Sequence, residues 1–458
     1  MVPIKKEIFR AYDIRGVVDK DFDPDWVELF GKACGTYFTK RGYKDAVVGH
    51  DCRHSSPIYQ KKLIEGLIST GINVIFLNMV PTPVFYYAIK KLNKKAGVMI
   101  TASHNPPEFN GFKVWAGEDT IHTTEIEKLY NIMVSKDFVK GDGTANELDI
   151  VPDYIEELSK DKISHPVKVV VDGGNGTAGE ICSEILKRMG ADVYSLYCEP
   201  DPNFPNHHPD PTVMENIQDL KNKVLEIGAD LGIGLDGDGD RIGVIDEKGN
   251  VIYGDQLLAI YAREVLKEHK GAIVIGEVKC SHLLYQDIER HGGKPLMWKT
   301  GHSLIKAKMK EINAILAGEM SGHMFFADKY YGYDDAIYAA KRLIEIMSKY
   351  PNKKLSTYLE DWPKTYNTPE IRIDCPDSIK FEVVEKIKEY FKANVKDAEV
   401  IDVDGIRLNF KDGWGLVRSS NTQPVLVLRF EAETEERLKE IKEMFETQVK
   451  KWIKELSK

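Results

Sequence analysis

Asp236-Gly-Asp238-Gly-Asp240-Arg241 places three carboxylates at alternate positions. In an extended loop alternate side chains share one side. The glycines let the backbone curl, so the oxygens can converge on one hard cation. The bland alternative is a solvated acidic turn, which mutual repulsion of three close anions disfavours. An EF-hand opens with the same spacing, and Glu247 falls at its twelfth position. Its sixth position is Arg241 where that loop needs glycine, and an apolar strand precedes it where a helix is required. The EF-hand reading is rejected.

Three further loops carry chemistry-bearing types. Thr101-Ala102-Ser103-His104-Asn105-Pro106-Pro107 follows an apolar run, with Lys113 downstream. A hydroxyl there could be a nucleophile or a phosphate carrier; taken alone, the segment reads better as turn chemistry. No G-x-S-x-G is present, so a hydrolase elbow is not indicated. Gly318-Glu319-Met320-Ser321-Gly322-His323 offers a carboxylate, a hydroxyl and an imidazole. Such acceptors suit sugar hydroxyls, and a hydrogen-bonded turn explains them equally well. Arg418-Ser419-Ser420-Asn421-Thr422 joins a forked cation to hydroxyls and an amide, the makings of a phosphate cradle. An ordinary hairpin loop is the competing reading.

Three motifs are set aside. Gly174-Asn-Gly176-Thr-Ala-Gly179, with Glu199 beyond, imitates a dinucleotide fingerprint but reads as a tight strand-to-helix turn. His50-Asp-Cys-Arg-His54 resembles H-E-x-x-H, yet it has Asp for Glu and straddles a strand end. His207-His208 lies in a Pro/Asn-rich loop and reads as structural.

The elements that position these loops recur. Apolar runs at 46–49, 72–77 and 98–100 alternate with helical stretches, and so do runs at 167–171, 193–196 and 231–235. A third set falls at 272–275, 295–298 and 314–316. The pattern indicates βαβ units with mostly parallel sheets, and each chemistry-bearing loop follows the third run of its set. Ligands of such sheets sit at the carboxyl ends of the strands. Strands expected at 369–374, 405–410, 415–417 and 425–430, then a charged amphipathic helix over 435–458, make a different α+β unit. The expected fold is α/β: three similar mixed α/β domains (1–148, 149–250, 251–362) and a C-terminal α+β domain (363–458) around a central cleft.

Composition bounds the function. With 458 residues, 42% hydrophobic and 29% charged, the chain supports several cored domains. Lysine plus arginine count 63 against 72 acidic residues, a net charge of −9. That speaks against coating a nucleic acid or an anionic membrane. No apolar run reaches the roughly 18 residues of a membrane span. Six scattered cysteines without a C-x-x-C pair suit reduced thiols, and a cytoplasmic location is expected.

Taken in order, FRAYDIRG, TASHNPPEFNGFK, DGDGDR, WKTGHS, GEMSGH and RSSNTQP resemble the α-D-phosphohexomutase family along the whole chain. GEMSGH with FRAYDIRG and WKTGHSLIK is most similar to the bifunctional phosphomannomutase/phosphoglucomutase branch. The resemblance implies that Ser103 is phosphorylated and that Asp236, Asp238 and Asp240 hold Mg²⁺ together with a phosphoserine oxygen of Ser103. It implies that Glu319 and Ser321 bind sugar hydroxyls, and that Arg418, Ser419, Asn421 and Thr422 clamp the non-reacting phosphate. Tyr12, Arg15, His104, Lys113, Arg241, Lys279, His302 and His323 match cleft positions, with Arg15, Lys113 and His302 as candidate bases. The implied reaction interconverts hexose 1- and 6-phosphates of mannose or glucose through a hexose 1,6-bisphosphate, which also serves as activator. The implied partners are small hexose phosphates, the chain acting as a monomer or homodimer. A phosphoglucosamine mutase, a metal-dependent sugar phosphatase and a non-catalytic sugar-phosphate binder remain the alternatives.

Overall fold

The computed structural model describes residues 2–421 and 423–457. The first sheet contains β1 (Ile14–Val17), β2 (Asp45–His50), β3 (Asn73–Met79), β4 (Ala96–Ile100), β5 (Phe109–Ala116), β6 (Asp119–Thr120) and β7 (Ala145–Glu147). Its order is β1-β5-β4-β2-β3-β7, with β6 on β5. The second contains β8 (Lys168–Asp172), β9 (Asp192–Leu196), β10 (Leu231–Leu235), β11 (Ile242–Asp246) and β12 (Val251–Ile252), ordered β12-β11-β10-β8-β9. The third contains β13 (Ile273–Glu277), β14 (Lys294–Trp298), β15 (Leu316–Gly318) and β16 (Met324–Phe326), ordered β14-β13-β15-β16.

One plan underlies all three. Two crossovers through helices bring three strands parallel: β2, β3 and β4, then β8, β9 and β10, then β13, β14 and β15. A fourth strand then folds back antiparallel on the third: β5 on β4, β11 on β10, β16 on β15. The chemistry-bearing loops are these three fold-back connections. Each sheet is therefore mostly parallel, with one reversed strand that makes it mixed: β5, β11 and β16. The return strands escape sequence reading because they are short or begin on the polar end of their loop.

The central strands are wholly apolar and buried, AGVMI in β4 and LGIGL in β10. Alternation along β2 sends Ala46 and Val48 into one core and Val47 into another, so helices cover both faces. Helix ends follow local chemistry: Asp23 caps Pro24–Thr39 by accepting from Trp26 N, and Ser281 caps His282–Arg290 through Leu283 N. β15 begins two residues later than the expected run at 314–316. Asn313 ends the helix His302–Ile312 in a left-handed conformation, and Ala314 N donates to Met309 O, which holds Ala314 in the cap.

The last unit is an antiparallel sheet of β17 (Tyr366–Asn367), β18 (Ile371–Asp374), β19 (Glu399–Ile401), β20 (Ile406–Phe410), β21 (Gly413–Ser419) and β22 (Val425–Ala432). Helices Lys380–Asn394 and Glu435–Leu456 pack on it. One apolar core runs through the first three units, joining Val84, Val169, Ile185, Val274 and Ile344. The last unit has its own core around Phe391, Phe430 and Phe445 and meets the third through a small cluster of Val278, Trp414 and Leu416.

Candidate active site

Ser103 stands just past β4, 3% exposed, with φ at +49°. Its N–H donates to Thr101 Oγ1 at 2.9 Å, and its Oγ donates to Asp236 Oδ2 at 2.6 Å. His104 Nδ1 lies 3.2 Å from the same Oγ. Burial, with help from Arg241 and Arg15, pushes the His104 imidazole well below the usual histidine range. The first and second units meet closely here. A Cβ on Gly237 would stand 2.3 Å from Ser103 O, so only glycine lets the acidic loop lie against the serine loop.

Asp236, Asp238 and Asp240 are fully buried and offer oxygens within 4.8 Å of one another. Lys113, which stands opposite Met99 on β5, enters from the first unit. Its Nζ donates to Asp238 Oδ2 at 3.0 Å and also to Asp240 Oδ2. Thr82 Oγ1 donates to Asp238 Oδ2 at 2.6 Å. Burial pushes the Asp236 carboxyl up, and its two neighbouring carboxylates add to the effect. Burial raises Asp240 as well, but Lys113 and His323 outweigh it and hold that carboxyl well below its usual range. Among the described residues Asp238 Oδ1 is buried without a hydrogen bond, and Asp240 Oδ1 has only the His323 imidazole 3.4 Å away. Hard oxygen donors with uncommitted lone pairs fit a divalent cation of the magnesium type. The cluster can bind a metal.

The third unit brings Glu319, Ser321 and His323. Glu319 Oε2 accepts from Gly301 N at 2.8 Å, and His323 Nδ1 sits 3.0 Å from Glu319 Oε1 and 3.1 Å from Ser321 Oγ. Burial alone would lower His323, but Asp240 and Glu319 push it up to about 9. His302 goes the other way: burial, Lys306 and Lys113 hold it well below the usual range. A Cβ on Gly301 would stand 2.7 Å from the Tyr12 ring, so this loop also packs on the first unit.

The fourth unit supplies Arg418, whose Nε donates to Asp404 Oδ2 at 2.9 Å. Arg418 Nη2 is buried with no hydrogen-bond partner among the described residues, and so is Arg15 Nε. Asn421 Nδ2 donates to the Tyr12 hydroxyl at 2.6 Å. Lys279 Nζ reaches Glu370 Oε2 at 3.1 Å. Burial weakens the Arg418 charge, but Asp404 and Tyr12 more than restore it.

One cleft of about 950 Å³ gathers these groups. Tyr12, Arg15, Ser103, His104, Lys113, Asp240, Arg241, Lys279, His302, Glu319, Ser321, His323, Arg418 and Asn421 all line it, with Asp236 and Asp238 beneath. Ser419 does not. It ends β21, where alternation turns its hydroxyl onto Lys380 O at 3.0 Å, and Ser420 lines the cleft in its place. Thr422 lies outside the described residues. A second cavity of about 620 Å³ is lined by ion pairs such as Arg342–Asp328 and Lys349–Glu264, and holds none of the four loops.

Sequence reading missed several contributors. Asp404 orients both Arg418 and Thr300 N, while Glu277 accepts from Lys279 N, Met320 N and Thr300 Oγ1. Asp334 faces Lys306 at 2.9 Å and His302 at 3.8 Å. These residues matter only through tertiary contacts. Asp51 and Arg53, at the end of β2, did carry a signal: a polar run at a strand's carboxyl end.

Polar loops from three repeated units and one dissimilar unit thus meet in a single cleft, and comparison with known proteins shows which family is built this way. Residues 6–140, 152–249 and 253–366 match the phosphoglucomutase/phosphomannomutase alpha/beta/alpha domains I, II and III, and 370–448 match the C-terminal domain. The chain belongs to the phosphoglucomutase/phosphomannomutase family. It is 46% identical over 444 residues to a phosphomannomutase/phosphoglucomutase of Pseudomonas aeruginosa, covering 97% of this chain and 95% of that one. A phosphoglucomutase of Neisseria gonorrhoeae is 42% identical over 450 residues, 97% of each chain. The crystal structure of a family protein from Burkholderia thailandensis superposes with a TM-score of 0.92 at 40% identity, covering 98% of both chains.

Proposed function

We propose that the protein interconverts hexose 1-phosphates and hexose 6-phosphates of glucose and mannose through a phosphoserine at Ser103. One observation carries the reading. The Ser103 hydroxyl lies 2.6 Å from a buried acidic cluster, in a cleft also lined by Arg418, whose buried guanidinium nitrogen Nη2 has no partner among the described residues. The first pair suits transfer of a phosphoryl group, and the second suits holding a phosphate that does not react.

In the forward half-reaction the phosphoryl group leaves Ser103 Oγ for the free sugar hydroxyl. The P–O bond to serine breaks, a P–O bond to the sugar forms, and the sugar proton passes to a base. Among Arg15, Lys113 and His302, the Lys113 ammonium is held charged by Asp238, Asp240 and Asp334 against the pull of burial. Burial, Lys306 and Lys113 lower the His302 imidazole, which frees it to take a proton but weakens it as a base, so all three stay candidates for that role. Asp236, Asp238 and Asp240, with a phosphoserine oxygen, would hold Mg²⁺, which supplies charge stabilisation to the transferring group. Arg15 and Arg241, both lining the cleft, face the same charge. Glu319 and Ser321 orient the ring through its hydroxyls. The bisphosphate then turns end for end, and the Arg418 loop takes whichever phosphate is distal.

The test incubates the protein, Mg²⁺ and trace glucose 1,6-bisphosphate with glucose, mannose and glucosamine 1-phosphates, and assays each 6-phosphate. Glucose and mannose 6-phosphates are expected. Release of inorganic phosphate alone would establish a phosphatase, and dominant glucosamine turnover would move the protein to the other mutase branch.

A further inference from the structure

The HDCR segment that resembles a zinc motif has another occupation. Arg53 is 1% exposed, and all five of its guanidinium N–H groups are matched to acceptors. Nε donates to Asp51 Oδ2 at 3.0 Å. Nη1 donates to Pro106 O at 2.6 Å and Phe109 O at 3.0 Å. Nη2 donates to Ser103 O at 2.9 Å and Asn105 O at 2.6 Å. Asp51 fixes the fork in turn: it accepts from Arg53 N, Ser56 Oγ and Ala102 N. Four carbonyls of one short loop are thus gathered on a single planar cation. The loop they belong to carries Ser103 in the left-handed region, which an L-residue leaves unless its surroundings hold it there.

We infer that Arg53 is a positioning residue for phosphoryl transfer: its guanidinium holds the 103–109 loop so that Ser103 Oγ points at the acidic cluster. Arg53 does not itself line the cleft and donates to none of the three carboxylates of the cluster, so its effect must pass through the backbone of the loop. A lysine cannot replace it, because an ammonium has three donors and no fork. The inference rests on the reading of Ser103 as phosphoryl carrier.

The experiment compares Arg53→Lys, Arg53→Ala and Ser103→Ala with wild type. Steady-state kcat and KM for glucose 1-phosphate are measured at saturating glucose 1,6-bisphosphate. Phosphorylation of Ser103 by the bisphosphate is followed by intact mass, and far-UV dichroism checks the fold. Displacing a reacting atom by about an ångström costs on the order of 100-fold in rate. Arg53→Lys should therefore lose about 100-fold in kcat and in the rate of Ser103 phosphorylation. Its KM should stay within about threefold, since the sugar and phosphate contacts are untouched. Added ethylguanidine should return at least about tenfold of the activity of Arg53→Ala, which a general loss of packing would not allow. A folded Arg53→Lys with kcat within about threefold of wild type overturns the inference. A rise in KM at unchanged kcat does the same. If Arg53→Ala does not fold, Arg53→Lys alone carries the decision. Ser103→Ala separates the two readings: turnover in that variant removes the phosphoserine itself, whereas a dead Ser103→Ala beside an active Arg53→Lys removes only the brace.

Discussion

Ser103 occupies a backbone region that costs a non-glycine residue about 1–3 kcal/mol, and the hydroxyl so placed meets the buried Asp236. Intact-mass analysis of the purified protein should find a phosphate on Ser103 in a fraction of molecules. Ser103→Ala should keep the fold and lose nearly all mutase activity; near wild-type turnover would remove this serine from the reaction. The acidic cluster gives a second expectation at the same scale. Asp238 Oδ1 has no partner among the described residues, while Oδ2 is met by Lys113 and Thr82. Asp238→Asn keeps the shape but removes one anionic ligand. Calorimetric titration of the metal-free protein with Mg²⁺ should show affinity lower by about 10- to 100-fold or more, by analogy with losses seen for outer-shell changes. Unchanged affinity would mean that the cation sits elsewhere. At the phosphate end, a charge-assisted contact from Arg418 is worth roughly 1.5–3 kcal/mol. Arg418→Ala should weaken binding of 1-phosphate and 6-phosphate sugars alike, by roughly 10- to 100-fold. A loss confined to one isomer would point to a dedicated site instead of a shared clamp.

At the scale of elements, the fold-back loop is the device that makes each unit useful. A third parallel strand ends, the chain turns through polar residues, and a return strand locks both ends of the turn. Loops built this way can be pressed together. Gly237 is the point of contact, with Ser103 O where its Cβ would be. Gly237→Ala must part the two loops or strain them, at a cost of about 1–3 kcal/mol. Activity should fall far more than the melting temperature, because the Ser103–Asp236 approach is what opens. A variant with full activity would show that the loops need not touch. The same device explains what could be read in advance. DGDGDR, TASHNPP and GEMSGH were legible because each loop concentrates its chemistry in contiguous residues after an apolar run. The return strands were not, since NGFKVWA mixes polar and apolar residues and MFF is too short to show a period. Ser419 was misplaced because a loop and a strand end look alike without the pairing of β21 to β22. Asp404, Glu277 and Asp334 were invisible because they act on Arg418, Met320 and Lys306, which are remote from them in the sequence.

Across the whole molecule, the first three units share one apolar core, whereas the fourth is held to them by polar contacts around a small cluster. Lys279–Glu370 and Asn421–Tyr12 are among those contacts, and both lie at the cleft. Attachment of the fourth unit should therefore depend on charge, and Glu370 allows that dependence to be measured. Burial raises its carboxyl, but Lys279 and Arg372 outweigh burial and lower it from 4.5 to about 2. The Glu370 side chain is 27% exposed and that of Lys279 11%, so solvent screens the pair only in part. A carboxyl whose pKa falls on folding stabilises the folded state above its unfolded value, and that contribution fades as pH drops through the folded value. Here it is complete above about pH 4.5 and disappears towards pH 2. Its size is roughly 2–3 kcal/mol, shared between Lys279 of the third unit and Arg372 of the fourth. Glu370→Gln lacks this contribution at every pH. Hydrogen exchange of strands β20 to β22, compared between wild type and Glu370→Gln at the same pH, should differ clearly at pH 7. The difference should shrink steadily below pH 4.5 and be nearly gone close to pH 2. Exchange in β2, β4 and β10 should not distinguish the two proteins, because those strands belong to the shared core. A difference that stays constant down to pH 2, or that appears equally in all four units, would show that the Lys279–Glu370 pair does not hold the fourth unit in place.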